Sequence, residues 1–157
     1  MKSIKSSRIV VVADSDQGRV LAARLRRMDV AAVKAVGGLE EARRLCQSGT
    51  TDVCLVAVGN PVPDGVPAPE GEAPGRACGI PALMVAPVVT PHVRQVARRC
   101  GYVAVISATM PPRMLYRRLG AALQGRGAAR RSSRHLALGA QLVRLENSAF
   151  FDKPTLH

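Results

Sequence analysis

The fold is decided by the stretch Thr51-Asp52-Val53-Cys54-Leu55-Val56-Ala57-Val58-Gly59-Asn60-Pro61-Val62-Pro63-Asp64-Gly65. Six consecutive apolar residues, Val53 to Val58, predict a strand that is buried on both faces, because a half-exposed strand would alternate apolar and polar side chains. The glycines, asparagine and prolines that follow predict a loop. A strand of this kind is typical of a parallel sheet that helices cover on both sides.

Four further apolar runs have the same character, and helical patterns separate them. The five predicted strands are Arg8 to Ala13, Val30 to Val36, Val53 to Val58, Ile80 to Ala86 and Val103 to Ser107. Four helices are predicted, and the first has Val20, Leu21, Leu25 and Met28 inward. The second and third are Leu39 to Gln47 and Thr90 to Gly101. The fourth is Arg113 to Gln124, with Met114, Leu115, Leu119 and Leu123 inward. This alternation predicts an α/β fold with a doubly wound, five-stranded parallel sheet.

One segment interrupts the alternation. Gly59 to Gly79 holds five prolines and five glycines, and proline removes a helix donor while it fixes φ. The helix expected between the third and fourth strands is therefore predicted to be short or missing. Thr90-Pro91 has the opposite effect, since a capping residue followed by proline favours a helix start.

Residues 1–124 are predicted to form one domain, and residues 125–157 a basic linker followed by an amphipathic tail helix. The tail has leucines at helical spacing, and a lone amphipathic helix needs a partner for its apolar stripe. We expect self-association through this stripe. Its central residues are Leu138, Leu142 and Leu145.

The net charge of the 157 residues is +12, and most of it comes from arginine doublets. Arginine neutralises phosphates, so a basic nucleic-acid-binding regulatory protein is an alternative interpretation. The doublets fall on different predicted helices with no aromatic residue between them for base stacking, which makes nucleic acid the less favoured partner. No apolar run approaches the roughly 20 residues of a membrane span. The four cysteines form no CxxC pair, so free thiols and a cytoplasmic location are expected.

Residues 8–124 resemble the receiver domains of bacterial response regulators. Such domains contain Asp-Val-x-Leu-x-Asp-x-x-x-Pro-x-x-Asp-Gly, which Asp52 to Gly65 follows, with Pro61 and Asp64 in place. Ile80-Pro81 is similar to the usual start of their fourth strand, and Asp14 matches one of their Mg²⁺-binding acids. The resemblance implies a flavodoxin-like fold with its crevice at the carboxyl ends of the strands.

The residues that carry the chemistry of receivers are replaced here. The phosphoacceptor position is Ala57, and the switch positions are Ala86, Val105 and Ala108. A methyl group cannot attack a phosphodonor, and Mg²⁺ requires hard oxygen ligands. We therefore expect a pseudo-receiver that is not an enzyme and has no catalytic residues and no cofactor.

Two aspartates leave alternatives open. Asp14 and Asp16 are candidate cation ligands whose other role is capping of the first helix. A phosphotransfer receiver that uses one of them as a displaced phosphoacceptor is a further alternative.

The resemblance also suggests a mode of action. In receivers, partners and second copies dock on the face formed by the fourth helix, the fifth strand and the fifth helix. Here that face would carry Arg94, Arg98, Arg113, Tyr116 and Arg117. The sequence predicts signalling through a protein partner or a homodimer. The end of the chain, Leu145 to Leu156, resembles the lead-in to GGDEF domains in PleD- and PopA-type cyclic-di-GMP regulators, which suggests that pathway.

Overall fold

Five strands form a single sheet in the computed structural model, which describes residues 3–13, 15–58 and 71–125. They are β1 (Arg8–Val12), β2 (Ala32–Val36), β3 (Val53–Ala57), β4 (Ala82–Ala86) and β5 (Ala104–Ser107). Their order is β2-β1-β3-β4-β5, and every neighbouring pair is parallel. The predicted doubly wound, five-stranded parallel sheet is confirmed.

The helices are α1 (Asp16–Arg26), α2 (Leu39–Gln47), α3 (Pro91–Arg99) and α4, which covers residues 112–125. The bounds of α2 are those predicted. The start of α3 also follows the prediction, because the Thr90 hydroxyl accepts a hydrogen bond from the Val93 N–H at 3.2 Å and proline occupies the first helical position. Between β3 and β4 the described residues 71–81 contain one 3-10 turn, Arg76–Cys78, and no α-helix.

Two apolar layers hold the sheet and the helices together. The first layer lies between the sheet and helices α1 and α4, and its largest fully buried side chains are Ile9, Leu25, Leu55, Leu83, Ile106, Leu115 and Leu119. The second lies on the side of α2 and α3 and contains Val10, Val12, Cys54, Met84, Val93 and Tyr102. Full burial of one such aliphatic side chain contributes about 1.5–3 kcal/mol, so these layers are the main source of stability.

Two residues that were expected to face inward are exposed. Val20 is 60% exposed and Met114 is 48% exposed, so both expectations were wrong. Each is followed by a leucine, Leu21 or Leu115, that is buried instead. Neighbouring helical residues point about 100° apart, so only one of each pair can point at the sheet.

Several predictions fall on residues outside the described ranges. These are Asp14, the Pro61-to-Gly65 turn, and the linker and tail of residues 126–157 with Leu138, Leu142 and Leu145. They stay predictions. Within the described ranges, no helix combines the length and apolarity that a membrane crossing requires.

Candidate functional site

The carboxyl ends of β1 and β3 flank the point where the sheet reverses its winding, and this is where open α/β sheets place their crevice. The α1 side of this point is tightly packed. Ser15 caps α1 by accepting a hydrogen bond from the Gly18 N–H at 3.4 Å. A Cβ on Gly18 would lie 2.6 Å from the Ala13 Cα and 2.8 Å from the Val12 carbonyl oxygen, so only glycine lets the first turn of α1 approach β1 this closely.

Ala57, which the sequence predicts at the phosphoacceptor position of receivers, is the last residue of β3. It is 3% exposed and belongs to the apolar layer beneath α1 and α4. The next residue continues the ladder, since the Val58 N–H donates to the Val85 carbonyl at 2.9 Å. The Ala57 methyl group is therefore part of the packed core and offers no nucleophile.

The predicted switch positions lie in or next to β4 and β5. Ala86 is the last residue of β4 and is fully buried in the layer beneath α2 and α3. Ala108 follows β5, is half-buried, and donates its N–H to the Ala86 carbonyl at 3.0 Å. Val105, within β5, packs against the same layer as Ala86. The structure thus brings Ala57, Ala86 and Ala108 to one edge of the sheet, where their side chains are methyl groups.

Asp16 is placed where it stabilises the helix. Its side chain is 98% exposed, its carboxylate lies 3.9 Å from Arg19, and it stands in the first turn of α1. A negative charge in this turn interacts favourably with the helix dipole. Among the described residues, no three side chains of His, Cys, Asp and Glu lie together as a metal site would require.

Arg24 has a role that the sequence did not indicate. Its guanidinium donates to the Ala108 carbonyl at 3.1 Å and also to the Met110 carbonyl, so it ties α1 to the loop that follows β5. Within that loop the Thr109 N–H donates to the Ser107 hydroxyl at 3.3 Å. Hydrogen bonds from a charged donor are the stronger ones, so this loop is held in a defined arrangement. No local pattern could have predicted a contact between residues 84 positions apart.

A groove lies on the face formed by α3, β5 and α4. It has a volume of about 260 Å³, and its lining includes three arginines and residues at the start of β5. We call it the arginine groove and define it by Arg94, Arg98, Arg118, Val103, Ala104 and Val105.

The groove contains some of the predicted partner-binding residues and leaves out others. Arg94 and Arg98, both on α3, are exposed and line it. Arg113, Tyr116 and Arg117 are exposed on α4 but do not line it. Arg118 does line it and was not predicted. The signal was available in the sequence, because Leu115 and Leu119 face the sheet and Arg118 flanks them on the same helix.

The charge of the chain is unevenly distributed along the sequence. Residues 73–145 contain twelve arginines and no aspartate or glutamate, whereas residues 1–72 contain ten basic and nine acidic residues. α3, β5 and α4 all lie within residues 73–145. The potential around the arginine groove is therefore positive and attracts anionic groups.

The solved structures that resemble this chain include receiver domains. A CheY-like response regulator receiver domain protein from Methanospirillum hungatei JF-1 is 16% identical, with a TM-score of 0.61 over 79% of this chain and 98% of its own. The Vibrio cholerae chemotaxis protein CheY4 is 19% identical, with a TM-score of 0.58 over 75% and 99%. The BeF3-activated N-terminal receiver domain of Klebsiella pneumoniae RstA is 22% identical, with a TM-score of 0.53 over 74% and 97%.

These likenesses concern three-dimensional structure. No protein-family model matches the chain, and no curated protein matches it. At identities of 16–22%, structural likeness establishes the fold and leaves function open. The described part of this chain has the fold of response-regulator receiver domains.

Proposed function

We propose that this chain is a signalling module of the receiver fold that acts by contact with a protein partner and not by phosphotransfer. The observation that carries the proposal is the state of the carboxyl edge of the sheet. Ala57 and Ala86 are buried in the two core layers, and Ala108 joins them at the same edge. At the described ends of β3 and β4, these side chains offer neither the nucleophile nor the oxygen ligands that phosphotransfer requires.

The α3–β5–α4 face supports the second half of the proposal. It is exposed, and it carries arginine and tyrosine, residue types that are frequent at the energetic centres of protein interfaces. The loop that follows β5 is tied to α1 by Arg24. A partner would therefore meet one arrangement of this face without a preceding chemical step.

Incubation with acetyl phosphate and Mg²⁺, followed by intact-mass analysis, tests the absence of phosphotransfer. We expect no mass increase of one phosphoryl group, while a receiver with an intact aspartate, treated in parallel, must show it. An adduct that maps to Asp14 or Asp16 would establish the rival, a receiver with a displaced phosphoacceptor.

A second candidate is a basic nucleic-acid-binding regulator, favoured by the twelve arginines of residues 73–145. Phosphate contacts release counterions, so its affinity would fall steeply as salt rises. A titration with duplex DNA at several salt concentrations separates it from a protein interface, which weakens less. Tight, steeply salt-dependent binding by a monomer would replace the contact proposal with this one.

Two finer features belong to the same proposal. Removal of residues 125–157 should lower self-association in sedimentation if Leu138, Leu142 and Leu145 form a homodimer contact. The cyclic-di-GMP pathway would be supported by a GGDEF module encoded beside this gene, and a different neighbouring module would replace it.

A further inference from the structure

We infer that this chain binds a small aliphatic carboxylate in an apolar groove at β2, the first strand in the sheet order, with Lys34 as the partner of the carboxylate. The groove has a volume of about 350 Å³ and lies beside β1, β2 and the last turn of α2. We call it the β2 groove and define it by Arg8, Val10, Ala32, Lys34, Leu45 and Thr51. None of these residues belongs to the carboxyl edge of the sheet or to the arginine groove, so the inference goes beyond the proposed function and does not depend on it.

The β2 groove follows from the register of β1 and β2. Arg8 pairs with Ala32 and Val10 with Lys34, so these four side chains share one face of the sheet. It is the face of the core layer beneath α2 and α3, to which Val10 belongs. Ala32 and Lys34 are nevertheless exposed, because an alanine methyl group fills little of the space beside α2 and a lysine keeps its ammonium group in water. The start of β2 is therefore left open beside the helix.

The wall of the β2 groove is mostly hydrocarbon. Its lining includes the buried Val10, the half-buried Leu45 and the exposed methyl group of Ala32. An aliphatic chain laid along these side chains would leave water, which favours binding with each methylene that is covered. Sites for small molecules have volumes of about 300–1,000 Å³ and mostly apolar walls with few polar groups. A groove of about 350 Å³ lies at the lower end of this range, which fits a short chain.

The charges of the β2 groove select an anionic headgroup. Lys34 forms no ion pair with another described residue. Arg8, by contrast, is compensated, because its Nε lies 3.3 Å from the Asp52 carboxylate and its guanidinium donates to the Gly49 carbonyl at 3.1 Å. No acidic residue of the described chain lines the groove. An ammonium group beside an apolar wall attracts a carboxylate more strongly than it would in bulk water, since the wall lowers the local dielectric constant.

A buried hydroxyl borders the same groove. Thr51 is 1% exposed, and its hydroxyl oxygen has no hydrogen-bond partner among the described residues. An unpaired buried hydroxyl carries an unfavourable desolvation cost, which a polar atom of a bound ligand would reduce. The β2 groove thus joins an apolar wall to the unpaired ammonium of Lys34 and an unpaired hydroxyl, as expected of a site for a small amphipathic molecule.

Isothermal titration calorimetry of the full chain with three defined probes tests this inference. The probes are octanoate, butyrate, which has the same headgroup on a shorter chain, and octylammonium, which has the same chain and the opposite charge. We expect octanoate, used below its micellar concentration, to bind at least about tenfold more tightly than butyrate, because the shorter acid has fewer methylenes to bury. Octylammonium should bind more weakly than octanoate. In amide NMR spectra, octanoate should shift the signals of residues 8–10, 32–34 and 45.

Matched variants distinguish the β2 groove from general adsorption. Lys34→Glu should weaken octanoate at least about fivefold and strengthen octylammonium, because the contact with the headgroup changes sign. Arg26→Glu makes the same change of charge on α1 and should alter either affinity less than about twofold, because salt screens distant charges. Ala32→Leu fills the groove and should weaken octanoate at least about fivefold, whereas Ala35→Leu adds the same side chain to the opposite face of β2 and should have less than about a twofold effect. All four positions are exposed, so the fold should be retained, which circular dichroism checks.

The inference is overturned if octanoate does not bind or shifts only signals outside the β2 groove, if octylammonium binds as tightly as octanoate, or if each variant and its control lose the same affinity. Sedimentation tests another occupant, and we expect Ala32→Leu and Ala35→Leu to sediment alike. If Ala32→Leu alone lowers self-association, a second copy of the chain fills the groove and the inference fails. None of these outcomes affects the phosphoryl-adduct experiment, so an adduct would refute the proposed function separately.

Discussion

Polar residues are buried at the amino edge of the sheet, whereas apolar residues are buried at the ends of β3 and β4 on its carboxyl edge. At the amino edge, Ser7, Thr51 and Asp52 are buried, and the Asp52 carboxylate accepts hydrogen bonds from the Arg8 N–H at 2.8 Å and the Arg8 Nε at 3.3 Å. At the carboxyl edge, β3 and β4 end in Ala57 and Ala86, which are buried among apolar side chains.

This difference indicates what each edge does. Asp52 is the one acidic residue buried among the described residues, and its partners are structural: it joins the start of β1 to the residue before β3. A charge is retained where it holds two strands together. At the carboxyl edge, where receivers perform phosphotransfer, the apolar core instead continues to the ends of β3 and β4.

The substitution Ala57→Asp tests this comparison with the largest expected effect. It places a carboxylate in the apolar layer beneath α1 and α4, with no cationic side chain among the buried residues that the structure describes, and an uncompensated buried charge costs about 3–5 kcal/mol. We expect the free energy of unfolding in urea to fall by that amount and no phosphoryl uptake to appear. Ala35→Asp, at an exposed position of β2, is the matched control. A variant as stable as this control that also takes up phosphate would show that the crevice is intact.

Asp52→Ala tests the other edge and should have the next largest effect. It leaves the Arg8 N–H without its acceptor and removes a charge-assisted hydrogen bond, for a loss of about 2–4 kcal/mol in the free energy of unfolding. Glu72→Ala removes an exposed ion pair with Arg76 and should cost less than about 1 kcal/mol. Equal losses in the two variants would mean that the amino edge contributes no more than a surface ion pair.

Regular elements were the part of the structure that local patterns could predict. Runs rich in apolar residues marked all five strands, and the charges at the ends of Leu39–Gln47 marked α2 to the residue. Local patterns did not predict the rotation of the helices about their own axes. Val20 and Met114 were assigned inward although Leu21 and Leu115 take those places. The choice between adjacent apolar residues is made by the sheet surface that they meet.

The candidate site divides in the same way. The positions of Ala57 and Ala86 followed from the strand ends, because a strand and its terminus are local features. The contacts of Arg24 with residues 108 and 110 depend on elements distant in sequence. Long polar side chains in particular reach partners that no periodicity identifies.

A residue in the core between the two edges, Tyr102, gives the smallest expected change in the free energy of unfolding. The Tyr102 hydroxyl is buried and has no hydrogen-bond partner among the described residues. Replacing an unsatisfied hydroxyl by hydrogen is nearly neutral or stabilising, so Tyr102→Phe should change the free energy of unfolding by no more than about 1 kcal/mol at neutral pH. A loss larger than this would mean that the hydroxyl is paired.

The same variant should alter the alkaline pH dependence. Burial raises the pKa of the Tyr102 phenol above its ordinary value of 10.0, and a hydrogen bond with Cys46, together with burial, raises the pKa of Cys54 above 9.0. Raised folded-state pKa values stabilise the fold fully below the unfolded pKa values, so stability declines as pH rises past 9 and then 10.

Phenylalanine removes the contribution of Tyr102 to this decline. Above pH 10 the slope should lessen by about 1.4 kcal/mol per pH unit, measured by urea unfolding at each pH. Tyr116→Phe removes a phenol from an exposed position and serves as the matched control. If the two variants have the same pH profile, burial of Tyr102 is not the cause.

The absence of a phosphoryl site at the carboxyl edge is tested most directly by amide NMR spectra recorded with beryllofluoride and Mg²⁺. Beryllofluoride mimics a phosphoryl group when it binds to a carboxylate. Our account predicts that the signals of Ala57, Ala86, Ala108 and residues 103–105 stay in place at saturating beryllofluoride. Saturable shifts at Ala57 and Ala86 caused by beryllofluoride would contradict the account, because they would show a working phosphoryl site at this edge.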